Sequence, residues 1–264
     1  MSFSIKSLLY YPVKSLGEID VESLSFDEFG PASDRRFMLV DGNGQFITQR
    51  SDTCLSFISA ELLAGKLSLH HASFGCLTYR VNEFSEPLQV SVWGDSVAAL
   101  GVRSGDADSV LSDYIGKPVR LVYMPDSSFR QVDREYFNAD RRVSFADGFP
   151  VLLCNTASLA DLNSRLDAPV PMSRFRPNIV FAGRTAFEED GWRRIRIGSI
   201  EFAVVKPCSR CVMTTINGEG ERGKEPLRTL ATYRKNEHGV CFGQNLVPLT
   251  NGTIGLKDEL VLID

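Results

Sequence analysis

Turn-forming residues interrupt this chain at short intervals, and the pieces between them are brief and rich in β-branched and aromatic residues. Arg36 to Val40 (Arg-Phe-Met-Leu-Val) is one such piece. Asp41-Gly42-Asn43-Gly44 follows it, a strong hairpin signal because these residues accept left-handed backbone at little cost. Gln45 to Arg50 is then expected to return as the partner strand. Ser4 to Val13 runs to Pro12 and on into Lys14-Ser15-Leu16-Gly17, a strand ending in a polar loop. Glu18 to Phe26, Lys66 to His70, Leu77 to Val81 and Leu88 to Trp93 read as further strands. Leu55 to Leu62 fits a strand or a helix equally by pattern. Many short strands with regular turns predict a barrel or sandwich, in a chain that is mainly β with some helix, an α+β class.

The remainder adds the helices. Asp106 to Ile115 sets Val110, Leu111, Tyr114 and Ile115 on one face, and Gly116 and Pro118 stop it. Val119 to Tyr123 is a strand. Met124 to Phe145 is polar, dense in acids and arginines and aperiodic, which predicts a long loop of the kind that often carries function. Phe149 to Leu153 is a strand, and Asn155 or Thr156 caps a helix bearing Leu159, Leu162 and Leu166. Arg174-Phe175-Arg176-Pro177-Asn178 opens into the apolar strand Ile179-Val180-Phe181. Gly198 to Val205 is another strand, and Pro226 starts a helix of about ten residues. Phe242 to Leu246 and Gly255 to Ile263 close the chain as strands. No repeat or flexible linker separates the halves, so they are expected to pack closely.

Composition excludes several function classes. Of 264 residues, 43% are hydrophobic and 23% charged, a globular profile with a core of useful size. The net charge of −4 argues against a nucleic-acid partner. No apolar run approaches the roughly 18 residues that span a bilayer, and no secretory leader is read. Cys54, Cys76, Cys154, Cys208, Cys211 and Cys241 are too scattered for a disulfide scaffold; reduced thiols in a cytoplasm are expected.

The chemistry concentrates in Ala203-Val204-Val205-Lys206-Pro207-Cys208-Ser209-Arg210-Cys211, followed by the β-branched run Val212 to Ile216. A Cys-x-x-Cys pair has four readings. A thioredoxin-like redox pair wants a helix start, and the following run reads as strand. Structural zinc wants a second ligand pair, and Cys154, Cys241 and His238 are isolated. The pair could be buried and inert. Or it offers a thiolate to a soft or high-valent metal centre, or accepts sulfur, with Lys206 and Arg210 supplying positive charge. Elsewhere Lys14-Ser15, Arg35 and Arg50 sit at strand ends. They read as surface charge or as a phosphate clamp, since a guanidinium fork, an ammonium and a hydroxyl suit phosphate oxygens.

Lys206-Pro207-Cys208-Ser209-Arg210-Cys211 with Thr214-Thr215, Lys224-Glu225-Pro226-Leu227 and Phe242-Gly243-Gln244 resembles the signature of MOSC (molybdenum cofactor sulfurase C-terminal) proteins. Pro12-Val13-Lys14-Ser15, Asp34-Arg35-Arg36-Phe37, Asp147, Ser158 to Asn163 and Arg174 to Val180 are similar to the amidoxime-reducing branch of that family. The resemblance covers about Leu8 to Leu262. It implies an N-terminal β-barrel domain, 1–118, packed on a MOSC β-barrel domain, 119–264. It implies a molybdenum-pyranopterin cofactor with Cys211 as the metal ligand and Asp147 as an acid near the metal. Lys14, Ser15, Arg35 and Arg36 would line the cofactor phosphate, and Arg50, Ser158, Arg176 and Asn178 would complete the cradle. The implied activity is reduction of N-hydroxylated compounds such as hydroxylaminopurines and amidoximes, a detoxification. Some relatives carry a ferredoxin domain with a cysteine-rich cluster motif. None is read before Asp264, so electrons are expected from a separate ferredoxin or flavin reductase-type protein. The mitochondrial members' N-terminal anchor has no counterpart here, so no membrane partner is expected. A cofactor carrier or sulfur-transfer module without reductase activity is the alternative.

Overall fold

The computed structural model describes residues 1–103 and 106–263. Ser2–Tyr10 is its central strand, burying Phe3, Ile5 and Leu8 on the inner face. It pairs antiparallel with Ile179–Phe181 on one side and Glu259–Leu262 on the other. From Glu259–Leu262 the sheet continues through Arg194–Ile197, Ile200–Ser209 and Gly239–Pro248. Gly239–Pro248 then pairs with Val151–Asn155, which lies parallel to Ile179–Phe181. These seven strands therefore close on themselves as a barrel, which leaves no edge between them to cap. The parallel pair needs a crossover. Helix Thr156–Asn163 begins that connection, capped by the Asn155 side chain accepting from Ala157 N. Phe3, Phe181, Trp192 and Phe202 fill the barrel interior. Burying each such side chain contributes roughly 1.5–3 kcal/mol.

The rest of the chain forms smaller sheets against this barrel. Phe37–Val40, Arg120–Tyr123, Asp95–Val102 and Phe84–Val92 make one of four strands. Ser59–Leu63, Lys66–His71 and Gly75–Arg80 make a three-stranded meander. Helix Asp106–Ile115 packs Leu111 into the core that joins them.

The expected division at residue 118 cuts the sequence but not the sheets. Ser2–Tyr10 lies inside the ring built by the C-terminal half. Ser23–Asp27 pairs with Gly252–Gly255, and Arg120–Tyr123 pairs with Phe37–Val40.

Local departures have local causes. Leu55 to Leu62 is both structures that its pattern allowed: a 3-10 helix, Thr53–Phe57, then the strand Ser59–Leu63. Asp41 to Gly44 makes its turn, with Asp41 N and Gln45 N closing it from either side. The expected return strand Gln45 to Arg50 keeps only isolated bridges from Gln45 and Phe46, because Thr48 O is taken by Ser51 N and Asp52 N in a tight turn. The helix after Pro226 is only Leu227–Ala231. Ile200–Ser209 runs on through Pro207, which is tolerated between two register shifts. Val212–Thr215, expected as strand, is a 3-10 turn. The Thr214 and Thr215 hydroxyls donate to the carbonyls of Cys211 and Val212, which holds the backbone curled.

Candidate functional site

The ends of several barrel strands and two loops enclose a cavity of about 460 Å³. Lys14, Ser15, Arg35 and Arg50 line one side. Arg174, Arg176, Asn178 and Leu152 line a second. Lys206, Cys208, Arg210 and Cys211 come from the cysteine segment, and Asp147 and Trp93 close the edge. Seven cations (Lys14, Arg35, Arg50, Arg174, Arg176, Lys206, Arg210) face two carboxylates (Asp133, Asp147), so the cavity is built for an anion.

The backbone is bent to make this wall. Among the described residues, seven that are not glycine have left-handed φ, and four of them line the cavity: Ser15 (+68°), Arg35 (+46°), Trp93 (+54°) and Arg176 (+55°). Such conformations cost of order 1 kcal/mol or more and persist where the surroundings fix them. For Arg35 and Arg176 the surroundings are visible. Both guanidinium groups lie 4.1 Å from the centroid of the buried Tyr11 ring. Arg35 Nη1 donates to Asp34 Oδ2 at 2.5 Å and to Asn178 Oδ1 at 3.2 Å. Arg176 Nη1 donates to Leu16 O at 2.8 Å. Asn178 ties the group to the barrel: Oδ1 also accepts from Leu152 N, and Nδ2 donates to Leu9 O and Asp34 Oδ1.

A second cluster surrounds Asp147. Lys14 Nζ donates to Asp147 Oδ1 at 2.5 Å and to Phe145 O at 2.7 Å. Arg50 Nη2 donates to Asp147 Oδ2 at 2.8 Å, and Trp93 Nε1 to Oδ1 at 3.2 Å. Arg130, buried, bonds Ser144 O, Ala146 O and Asp147 O and so fixes the loop that presents the carboxylate. Burial brings the Lys14 ammonium down from 10.5 to about 8, against the pull of Asp147. The Asp147 side chain is more than half exposed; what burial there is works against the charge, but Lys14 and Arg50 outweigh it and hold the carboxyl far below the usual range. Asp147 is therefore ionised at neutral pH. Burial lowers Arg176. Burial opposes the Arg50 charge too, and Asp147 and the neighbouring Cys211 sulfur raise it on balance.

Cys208 lies one residue before the strand's end, and Cys211 caps the start of the 3-10 turn. Arg210 Nη1 donates to Cys208 Sγ at 2.9 Å, and its Nη2 to Phe175 O at 2.6 Å. Cys154 and Cys241 are fully buried, and burial pushes both thiols up. Among the described residues no group of three His, Cys, Asp or Glu side chains could hold a bare metal ion. A metal at Cys211 would need its remaining ligands from a bound group.

The donor set fits such a group. Arg50 Nη1, Arg176 Nη2 and Arg210 Nε are buried and have no hydrogen-bond partner, and all three side chains line the cavity. Buried orphan donors are costly unless a ligand accepts from them.

Of the residues expected from sequence, Lys14, Ser15, Arg35, Arg50, Asp147, Arg176, Asn178 and Cys211 share this cavity. Arg36 and Ser158 lie outside it. Arg36 turns the other way, donating to Met124 O and Asp126 Oδ1 and packing on Phe29. Adjacent residues 35 and 36 point to opposite faces, so only one could enter. Ser158 is buried within the barrel-side helix, donating to Glu189 Oε1 and accepting from Phe187 N. Trp93 and the placement of Arg174 were not anticipated. A tryptophan beside glycine at a hairpin tip was the available signal for the first.

Residues 140–261 match the MOSC domain and residues 2–118 the MOSC N-terminal beta barrel domain. The chain is 34% identical to mitochondrial amidoxime-reducing component 1 of Danio rerio over 98% of its own length and 84% of that protein. The Homo sapiens protein of that name is 31% identical over 98% of this chain and 83% of its own. Molybdenum cofactor sulfurase of Oryza sativa subsp. japonica is 30% identical over 90% of this chain, which spans 32% of that larger protein. No helix among the described residues is long and apolar enough to cross a membrane. The chain thus belongs to the MOSC family, with a MOSC N-terminal beta barrel domain ahead of its MOSC domain.

Proposed function

We propose that the chain is a molybdenum-cofactor oxidoreductase that reduces N-hydroxylated compounds, taking electrons from a separate donor protein. One observation carries the reading: a cysteine sulfur, Cys211, faces the same anion-binding cavity as Lys14, Arg35, Arg50 and Arg176. The names and coverage of the relatives support it. Arg35, Arg176 and Lys14 would hold the cofactor's phosphate, the arginines as forks and the lysine as a point charge. Cys211 would be the protein's ligand to the metal, and Asn178 would keep Arg35 aimed inward. Bound there, the cofactor would supply two-electron reduction of an N–O bond, releasing the oxygen as water.

The residues around it set the charge. Asp147, though expected as an acid, is paired with Lys14 and Arg50 and carries no proton near neutral pH. Its part is to orient those two cations. Lys14, at about 8, is mostly an ammonium at neutral pH and so keeps the charge that a phosphate would meet. Turnover of benzamidoxime or a hydroxylaminopurine by molybdenum-loaded protein, with an artificial electron donor, tests the proposal. Activity that disappears in Cys211→Ser supports it. Fully loaded protein without activity refutes it and favours the second reading, a cofactor carrier or sulfur-transfer module, for which the similarity to molybdenum cofactor sulfurase speaks.

A further inference from the structure

We infer that Trp93 is the residue by which this site selects flat aromatic substrates, its indole serving as a stacking surface at the cavity edge. The identity of the substrates rests on the proposed reductase function; the surface itself rests on geometry.

Trp93 is 49% exposed, so it is not there to fill a core. Trp93-Gly94 form the two-residue turn that joins Val92 to Asp95, and both have left-handed φ, +54° and +92°. Turns of that kind favour Asn, Asp or Gly at the first position, and a bulky side chain there is strained. Neither burial nor turn chemistry accounts for a tryptophan. Its ring is nonetheless held in place. The Phe46 ring packs at 4.9 Å between centroids, the Arg50 guanidinium lies 4.5 Å from the ring, and the indole N–H reaches Asp147 Oδ1. Arg50 and Asp147 line the same cavity as Cys211. The product is a half-open aromatic plate held between Phe46 and the Arg50 guanidinium at the cavity edge. A purine or benzene ring bearing an N-hydroxyl group can stack on it, and an aliphatic N-hydroxyl compound has only the smaller contact of its alkyl groups to make there. Base-on-aromatic stacking is lost by roughly five- to 150-fold when the ring is removed.

The test compares the wild type, Trp93→Leu and Trp93→Phe as cofactor-loaded proteins, with reduced methyl viologen as donor. Trp93→Leu is expected to raise KM for a hydroxylaminopurine about tenfold relative to an aliphatic hydroxamic acid, with kcat within about twofold. Trp93→Phe, which keeps a ring but loses the N–H to Asp147, is expected to preserve the preference. An equal loss on both substrates, or no loss, overturns the inference. So does a Trp93→Phe that loses the preference, which would make the contact to Asp147 the real role. A binding arm needs no turnover: adenine is expected to quench tryptophan emission in the wild type and not in Trp93→Phe, where Trp192 alone remains. No quenching in the wild type overturns the stacking surface. A wild type that binds adenine yet reduces nothing defeats the reductase proposal and leaves the stacking surface standing.

Discussion

Lys14 concentrates the electrostatic argument in one side chain. It is 4% exposed, and burial draws its pKa down to about 8 while Asp147 resists. Below that value it is an ammonium facing the cavity. Sulfate, whose charge does not change in this range, is therefore expected to bind more weakly as pH rises from 7 to 9. Calorimetry should show about a tenfold loss in the wild type and a flat profile in Lys14→Met, since one hydrogen bond to a charged group contributes roughly 1.5–3 kcal/mol. Stability moves the other way. Between about 8 and 10.5 the unfolded chain holds the Lys14 proton and the folded chain does not, so this residue makes stability rise with pH. Lys14→Met should lose that rise in urea titrations. Asp147 acts with the same sign at lower pH: its folded pKa is depressed too, so its contribution is present above about 3.8 and falls away on acidification. Asp147→Asn should flatten the wild-type loss of stability below pH 4. Most of these side chains were legible as types at strand ends. Arg36 was not distinguishable from Arg35 in sequence, because neighbouring residues share composition and differ only in the left-handed turn at Arg35 that sends them apart.

Elements explain where sequence patterns succeed. Asp106–Ile115 and Thr156–Asn163 follow their apolar period and their caps. The run Val212 to Ile216 misled, because β-branched residues favour strands only when a partner strand is present. Here the threonine hydroxyls bond back to the preceding turn instead. The seam of three elements passes through Asn178, which bonds Leu9 O, Leu152 N, Asp34 and Arg35 at once. Such a hub has no sequence signature, since its partners are up to 169 residues away. Asn178→Ala leaves a carbonyl, an amide and two charges without their partner. It is expected to cost about 2–4 kcal/mol in chemical denaturation, with a loss of anion binding as Arg35 keeps Asp34 but loses the Asn178 contact that helps aim it.

At the level of the molecule, the two matched segments are interleaved. Ser2–Tyr10 sits between Ile179–Phe181 and Glu259–Leu262, so the second barrel cannot close without the first strand of the chain. Fragment 119–264 alone is expected to lack cooperative unfolding, and co-expression with 1–118 should restore it. Periodicity revealed the strands but could not reveal this, because strand order depends on pairings between distant segments. The same closure brings Lys14, from the start of the chain, to the cavity wall of Cys211. X-ray absorption at the molybdenum edge asks whether that cavity holds what its residues suit. Wild-type protein from a cofactor-producing host should show bound molybdenum with one sulfur ligand more than Cys211→Ser. Identical spectra from the two, or no molybdenum in the wild type, would contradict the account.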